Sequence, residues 1–230
     1  TITVQTRDSS GNTSAGVSQT VTPLANPVTT VASDISGNQV WAAGVFHITD
    51  NNLEIPVGST LTILPGVIVK LAIGTEINVR GDLIAQGTQS QPITFTSIRD
   101  DSVGGDSAGD GLTAPAPGDW QQIEIGTSTV PFLTRLEHVA VRYAGGSSSV
   151  GIDVKAPITI INSAITDNLN DGVYVENTPA RIENNLIARN GIDGVEAQSG
   201  NAPIITGNTI EDNARHGIYV SFATPAIDDN

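Results

Sequence analysis

Three stretches, "IINSAITDNLNDGVYV" (160–175), "IENNLIARNGIDGVEA" (182–197) and "ITGNTIEDNARHGIYV" (205–220), are one pattern written three times. Ile160, Ile182 and Ile205 open the copies, and Ile227 begins a fourth. Ser163, Asn185, Asn208 and Asn230 stand three residues further on. Then come Ile165, Ile187 and Ile210, next Asn168, Asn190 and Asn213, and last Gly172, Gly194 and Gly217. Every landmark recurs after 22 or 23 residues. A period of this length signals stacked units, each burying a face on the next. Inside a copy the apolar runs are short and alternate by two, which is strand spacing, and Asn, Asp and Gly lie between them where the chain must turn. No run has the length of an ordinary helix. Three short strands and three turns per copy make one coil of a parallel β-helix, each strand pairing about 4.8 Å away with its counterpart one coil on.

These copies resemble the repeats of the right-handed, pectin-lyase-like parallel β-helix superfamily, which includes pectate lyases, polygalacturonases, alginate epimerases and many bacterial surface proteins. The resemblance implies an all-β, right-handed three-sheet solenoid. It does not imply an activity, because one fold hosts many functions. Stacking in register gives two further expectations. Asp167, Arg189 and Asp212 share an outward position, which puts Arg189 between two carboxylates on neighbouring strands, a surface effect of roughly 0.2–1 kcal/mol. The Ser163, Asn185, Asn208, Asn230 position either bonds along the stack or simply accepts the turn conformation.

The period extends upstream. Ile55 and Ile77, Val57 and Val79, Leu61 and Leu83, and Ile63 and Ala85 are each 22 apart. The run from Ile55 to Ser97 resembles the opening coils of bacterial surface β-helices, with Lys70 and Arg80 expected at solvated strand ends. Residues 38–52 are assigned to the first coil or a cap, Trp41 covering the open end and His47 on the surface. Residues 25–37 are small and polar and read as a linker. Residues 1–24 read as two strands around a turn at Asp8–Asn12, and resemble the last hairpin of immunoglobulin-like or fibronectin-III-like domains, the alternative being an N-terminal extension packed on the β-helix. The β-helix is therefore placed at 38–230. The copies break off three residues into a new coil, so the stack is expected to continue beyond Asn230.

Residues 99–119, "RDDSVGGDSAGDGLTAPAPGD", interrupt the period. A long loop of this kind is functional or mobile. Asp100, Asp101, Asp106 and Asp110 are its candidate ligands for Ca²⁺, a hard cation that takes several oxygens. Their order is not that of a calcium-binding loop, and a solvated acidic loop is the alternative.

Charge and motif searches narrow the function. The chain has 24 acidic and 10 basic residues, a net charge of −14, and no Cys. That excludes a basic nucleic-acid footprint, a disulfide and a thiolate metal site. No apolar stretch reaches the length of a membrane span. The catalytic signatures of the resembling enzymes do not transfer: Arg215-His216-Gly217 and Asp228-Asp229 stand in the wrong order for a polygalacturonase, and Lys155 and Arg181 have no recognisable acidic partner for a lyase. Tyr174, Glu196 and Tyr219 share one outward position. With His216 they form the candidate carbohydrate-binding strip, against a reading as scattered surface residues. The leading expectation is a structural or adhesive segment of a secreted or cell-surface protein, with polysaccharide or other copies of itself as partners and no assigned catalytic residue. The alternatives are a polysaccharide lyase or hydrolase and a Ca²⁺-dependent glycan-binding β-helix.

Overall fold

The computed structural model of the chain describes residues 2–4, 7–13, 17–19, 27–49, 51–126, 133–200 and 202–230. Three parallel sheets run along the stack. Sheet 1 has eight strands, from Asn38–Trp41 to Ala226–Asp228; sheet 2 has eight, from Val28–Val31 to Thr209–Glu211; sheet 3 has seven, from Leu53–Ile55 to Ile218–Ser221. The chain visits the sheets in that order and then rises one coil. This is the all-β, three-sheet parallel β-helix expected from the repeat.

The repeat residues fall where their chemistry requires. Ile160, Ile182, Ile205 and Ile227 pair in register along sheet 1, and Ile165, Ile187 and Ile210 along sheet 2. All but Ile210 and Ile227 are fully buried, with Phe95 and Trp120 in the same core. Each such aliphatic side chain contributes roughly 1.5–3 kcal/mol on burial. Trp41 is also buried and stacks on Phe46 with ring centroids 4.4 Å apart.

Corners decide the rest. Between sheets 1 and 2, His138, Asn162, Asn184, Gly207 and Asp229 all have positive φ; between sheets 2 and 3, Tyr143, Asp167, Arg189 and Asp212 do. The residue that follows is an Asn in most coils, and those amides bond along the stack. Asn185 Nδ2 donates to Asn208 Oδ1 at 3.0 Å, and Asn208 Nδ2 to Asn230 Oδ1 at 2.7 Å. At the other corner Asn168 Nδ2 donates to Asn190 Oδ1, and Asn190 Nδ2 to Asn213 Oδ1, both at 2.9 Å.

Several expectations need correction. The stretch read as a linker contains the strand Val28–Val31, paired with Val45–Ile48, and the buried Ile35, so coiling starts before residue 38. In sheet 3 Leu53 pairs with Ile77 and Ile55 with Val79, a step of 24 residues, while Leu61 and Leu83 keep the step of 22. The corner after Ile55 holds four residues and the one after Val79 only two, which restores the register. Arg189 sits at a positive-φ corner, not mid-strand, and its two bonds go to Asp167, both 2.8 Å. Lys70 and His47 are buried beneath segment 98–118 rather than solvated. At the N-terminus Ile2–Val4 pairs antiparallel with Val17–Gln19, and Asp8 Oδ1 caps the turn by accepting from the amides of Ser10 and Asn12. The linker residues 25 and 26 lie outside the described residues.

Candidate functional site

Asp171, Asp193 and His216 each precede a glycine that opens a strand of sheet 3: Gly172, Gly194 and Gly217. The first two glycines are required by close approach. A Cβ on Gly172 would lie 2.7 Å from the Gly194 carbonyl oxygen, and one on Gly194 2.6 Å from that of Gly217. The side chains ahead of them therefore stack from coil to coil. The Asp193 amide donates to Asp171 Oδ1 at 2.8 Å, and the His216 amide to Asp193 Oδ1 at 3.0 Å. Glu196 joins from the outward face of its strand. Asp171, Asp193 and Glu196 are all buried, with oxygens within 4.8 Å of one another, the only such trio of His, Asp or Glu among the described residues.

Crowded carboxylates cannot all ionise cheaply. Burial pushes Asp171 up to about 6; the Asp193 amide pulls the other way, and the charges of Glu196 and Asp193 add to the rise. Burial acts upward on Asp193 as well, but hydrogen bonds from Arg215 and His216 outweigh it and hold this carboxyl below its ordinary value. Arg215 forks onto both Asp193 oxygens, and His216 Nδ1 lies 2.9 Å from Oδ1. The two neighbouring acids are thus pushed in opposite directions, Asp171 up and Asp193 down.

Along sheet 3 the residues of the candidate strip share one column. Tyr174 pairs with Glu196 and Glu196 with Tyr219, and the column continues through Asp153 and Glu124. His216 is brought to it, stacking on Tyr219 with centroids 5.4 Å apart. Arg215 lies 4.9 Å from the centre of the same ring. The Tyr219 ring is therefore already in contact with two side chains of its own chain. Tyr174 is half-buried, and burial, followed by the charges of Glu176, Glu196 and Asp153, raises its hydroxyl. Glu196 accepts from Gln198 at 2.5 Å.

The loop carboxylates do not converge. Asp100 is fully buried, accepts from Thr96 and Ser102, and pairs with Arg142 at 2.6 Å. Asp101 Oδ2 accepts from the Thr113 amide. Asp106 accepts from the amides of Gly109, Asp110 and Gly111. Asp110 is exposed. Each of the first three organises the loop itself. A concavity of about 570 Å³ lies elsewhere, along the corner of His138, Asn162 and Asn184, and none of the expected site residues lines it. Sequence reading missed Asp171 and Asp193, although their place before successive strand-opening glycines was a usable signal.

Residues 137–230 match the protein-family model described as right handed beta helix region. No curated protein and no solved structure shows significant similarity to the chain. With the three stacked parallel sheets, the match makes the fold a right-handed parallel β-helix.

Proposed function

We propose that this chain is a structural or adhesive segment of a secreted or cell-surface protein, with the β-helix as a rigid stalk. The observation that carries the reading is the state of Asp193. Its side chain has 0% exposure and accepts from Arg215 Nε and Nη2 and from the His216 amide, with His216 Nδ1 also in reach. Both carboxylate oxygens are buried and engaged by the protein's own donors. The other chemistry-bearing side chains behave alike, tying one coil to the next through Asn amides, the Arg189–Asp167 fork and the Lys155 bridge to Glu124 and Asp153. Chain shortening of acidic and neutral polysaccharides, with and without Ca²⁺, tests this. The reading expects none, and cleavage of any substrate that is lost in Asp171→Asn overturns it.

A second reading, a polysaccharide-active or glycan-binding β-helix, is favoured by one observation. Asp171, pushed up to about 6, lies against the ionised Asp193, as a general acid lies beside its partner carboxylate. The spacing under 4.8 Å is close to the about 5–5.5 Å of retaining glycosidases. The half-buried Tyr174 and exposed Arg215 and His216 would then meet the sugar.

A further inference from the structure

The outer face of sheet 2 carries an unusual column. His47 pairs with Lys70, Lys70 with Thr96, and Arg142 stands next along, since Val141 pairs with Phe95 and Arg142 Nε lies 3.4 Å from Thr96 Oγ1. Like charges aligned across strands are unfavourable unless countered. Elsewhere the counter-charge comes from the strands themselves or from the corner one coil away: Arg80 with Glu124, Arg135 with Glu137, Arg181 with Glu183, Arg189 with Asp167. This column has no strand carboxylate beside it. Asp167, at the corner one coil on, acts on Arg142, and the closer counter-charge comes from the out-of-period segment 98–118, which folds back across the face.

The segment behaves as a strap. Asp100 takes Arg142 at 2.6 Å. Lys70, with 0% exposure, gives its ammonium to the Gly105 carbonyl at 2.8 Å, and His47 Nε2 meets Ser107 Oγ at 2.9 Å. Gly104, with positive φ, lies so close to the sheet that a Cβ would come 3.0 Å from Val45 and 3.3 Å from Ile68. The strap's ends meet, because Ser97 Oγ donates to Asp119 Oδ2 at 2.6 Å. Its fit to the cations is incomplete. Lys70 is held by a neutral carbonyl, while the buried Asp101 Oδ1 has no hydrogen-bond partner.

We infer that segment 98–118 masks an anion-binding strip on sheet 2, its own aspartates standing where a linear polyanion bearing carboxylates or sulfates would bind. The column runs along the stack for three strand spacings from His47 to Arg142, about 14 Å, a shape suited to a polymer rather than a single small anion. Charge-assisted bonds to Lys70 and Arg142 would supply the recognition. The strap makes the intact chain inert to such ligands. Displacement or cleavage of the strap uncovers the strip.

The test replaces residues 99–118 by a short Gly-Ser turn and titrates the protein with polygalacturonate, dextran sulfate and neutral dextran at low and high salt. The polygalacturonate and dextran sulfate arms separate carboxylate from sulfate ligands. The expected result is at least about tenfold tighter binding of one polyanion than by the intact chain, weakened by salt, absent for neutral dextran and lost in the added pair Lys70→Gln and Arg142→Gln. A folded, strap-free protein that binds no more tightly, or whose gain survives the added pair, overturns the inference. Should excision abolish folding, Asp100→Asn with Asp101→Asn and Asp106→Asn in the full chain loosens the strap without removing it. That variant must also gain affinity, and no gain overturns the inference.

Discussion

The coils before residue 99 and those after residue 137 share one period and turn their corners differently. In the earlier coils Gly58, Gly66 and Gly74 supply positive φ, and no non-glycine residue does so among the described residues before His138. In the later coils His138, Asn162, Asp167, Asn184, Arg189 and Asp212 adopt it, at a cost of up to about 1–2 kcal/mol for His and Arg and less for Asn and Asp. At the corners of Asp167, Asn184, Arg189 and Asp212 the stacked amide that follows offsets that cost, whereas His138 and Asn162 are followed by Val139 and Ser163. Asn168, Asn185, Asn190 and Asn208 are buried and bonded to the coil above or below. The family match covers the same later coils, 137–230. One backbone can thus be wound with permissive glycine or with strained residues held by a polar ladder, and only the second leaves corner side chains available for ion pairs.

Breaking the ladder is expected to have the largest effect. Asn190→Ala removes the acceptor of Asn168 Nδ2 and the donor to Ile165 O and Asn213 Oδ1, all poorly hydrated groups. A loss of about 3 kcal/mol is expected in denaturant unfolding. The matching lesion in the glycine-wound coils is Gly81→Ala. Its φ is ordinary, but its Cβ would lie 2.3 Å from Ser59 O and 2.4 Å from Pro56 O, and about 2–3 kcal/mol should be lost by the same assay. A loss in Asn190→Ala well below that in Gly81→Ala would show that the later coils depend on backbone approach and not on the ladder, and would erase the distinction.

The buried acids give a smaller effect with a pH signature. Asp171 is raised in the folded state to about 6 from an ordinary 3.8. Such a group contributes stability below the unfolded value, and that contribution is lost as pH rises through the folded one. Asp171→Asn should therefore stabilise the protein by on the order of 1 kcal/mol at neutral pH and lose this advantage below about pH 4. Thermal melts of both proteins across that range check the sign. Smallest of all, Asn162→Gly at φ +53 should be neutral or gain about 0.5 kcal/mol, because the corner strain is relieved and its amide bond to Glu183 O is kept.

The sequence makes the later coils legible because inward isoleucines, corner asparagines and close-approach glycines each admit few residue types. At fixed spacing they leave little freedom of register. The earlier coils were read two residues out in sheet 3, because the four-residue corner 56–59 and the two-residue corner 80–81 differ in length while the sheet 1 spacing stays at 22. Lys70 and His47 were read as solvated because strand alternation points them outward. Nothing near them in sequence records that residues 98–118 fold back over that face. The aromatic strip was legible from spacing alone; that His216 and Arg215 flank the Tyr219 ring was not, since those contacts depend on side-chain direction. The acid trio was half legible: Asp171 and Asp193 share a repeat position, whereas Glu196 reaches them through the pleat of its strand.

Asp193, bound to Arg215 and His216 of the next coil, is proposed as a tie between coils. That role is tested most directly by the thermal midpoint of Asp193→Asn at neutral pH. Asp193 is held below its ordinary value, so its ionised form adds stability above the unfolded value, and that stability is lost as pH falls through the folded one. A midpoint several degrees lower, the equivalent of about 1–3 kcal/mol, is expected from the loss of the charge that binds Arg215 and His216. An unchanged or higher midpoint in Asp193→Asn would show that this charge does not hold the coils together.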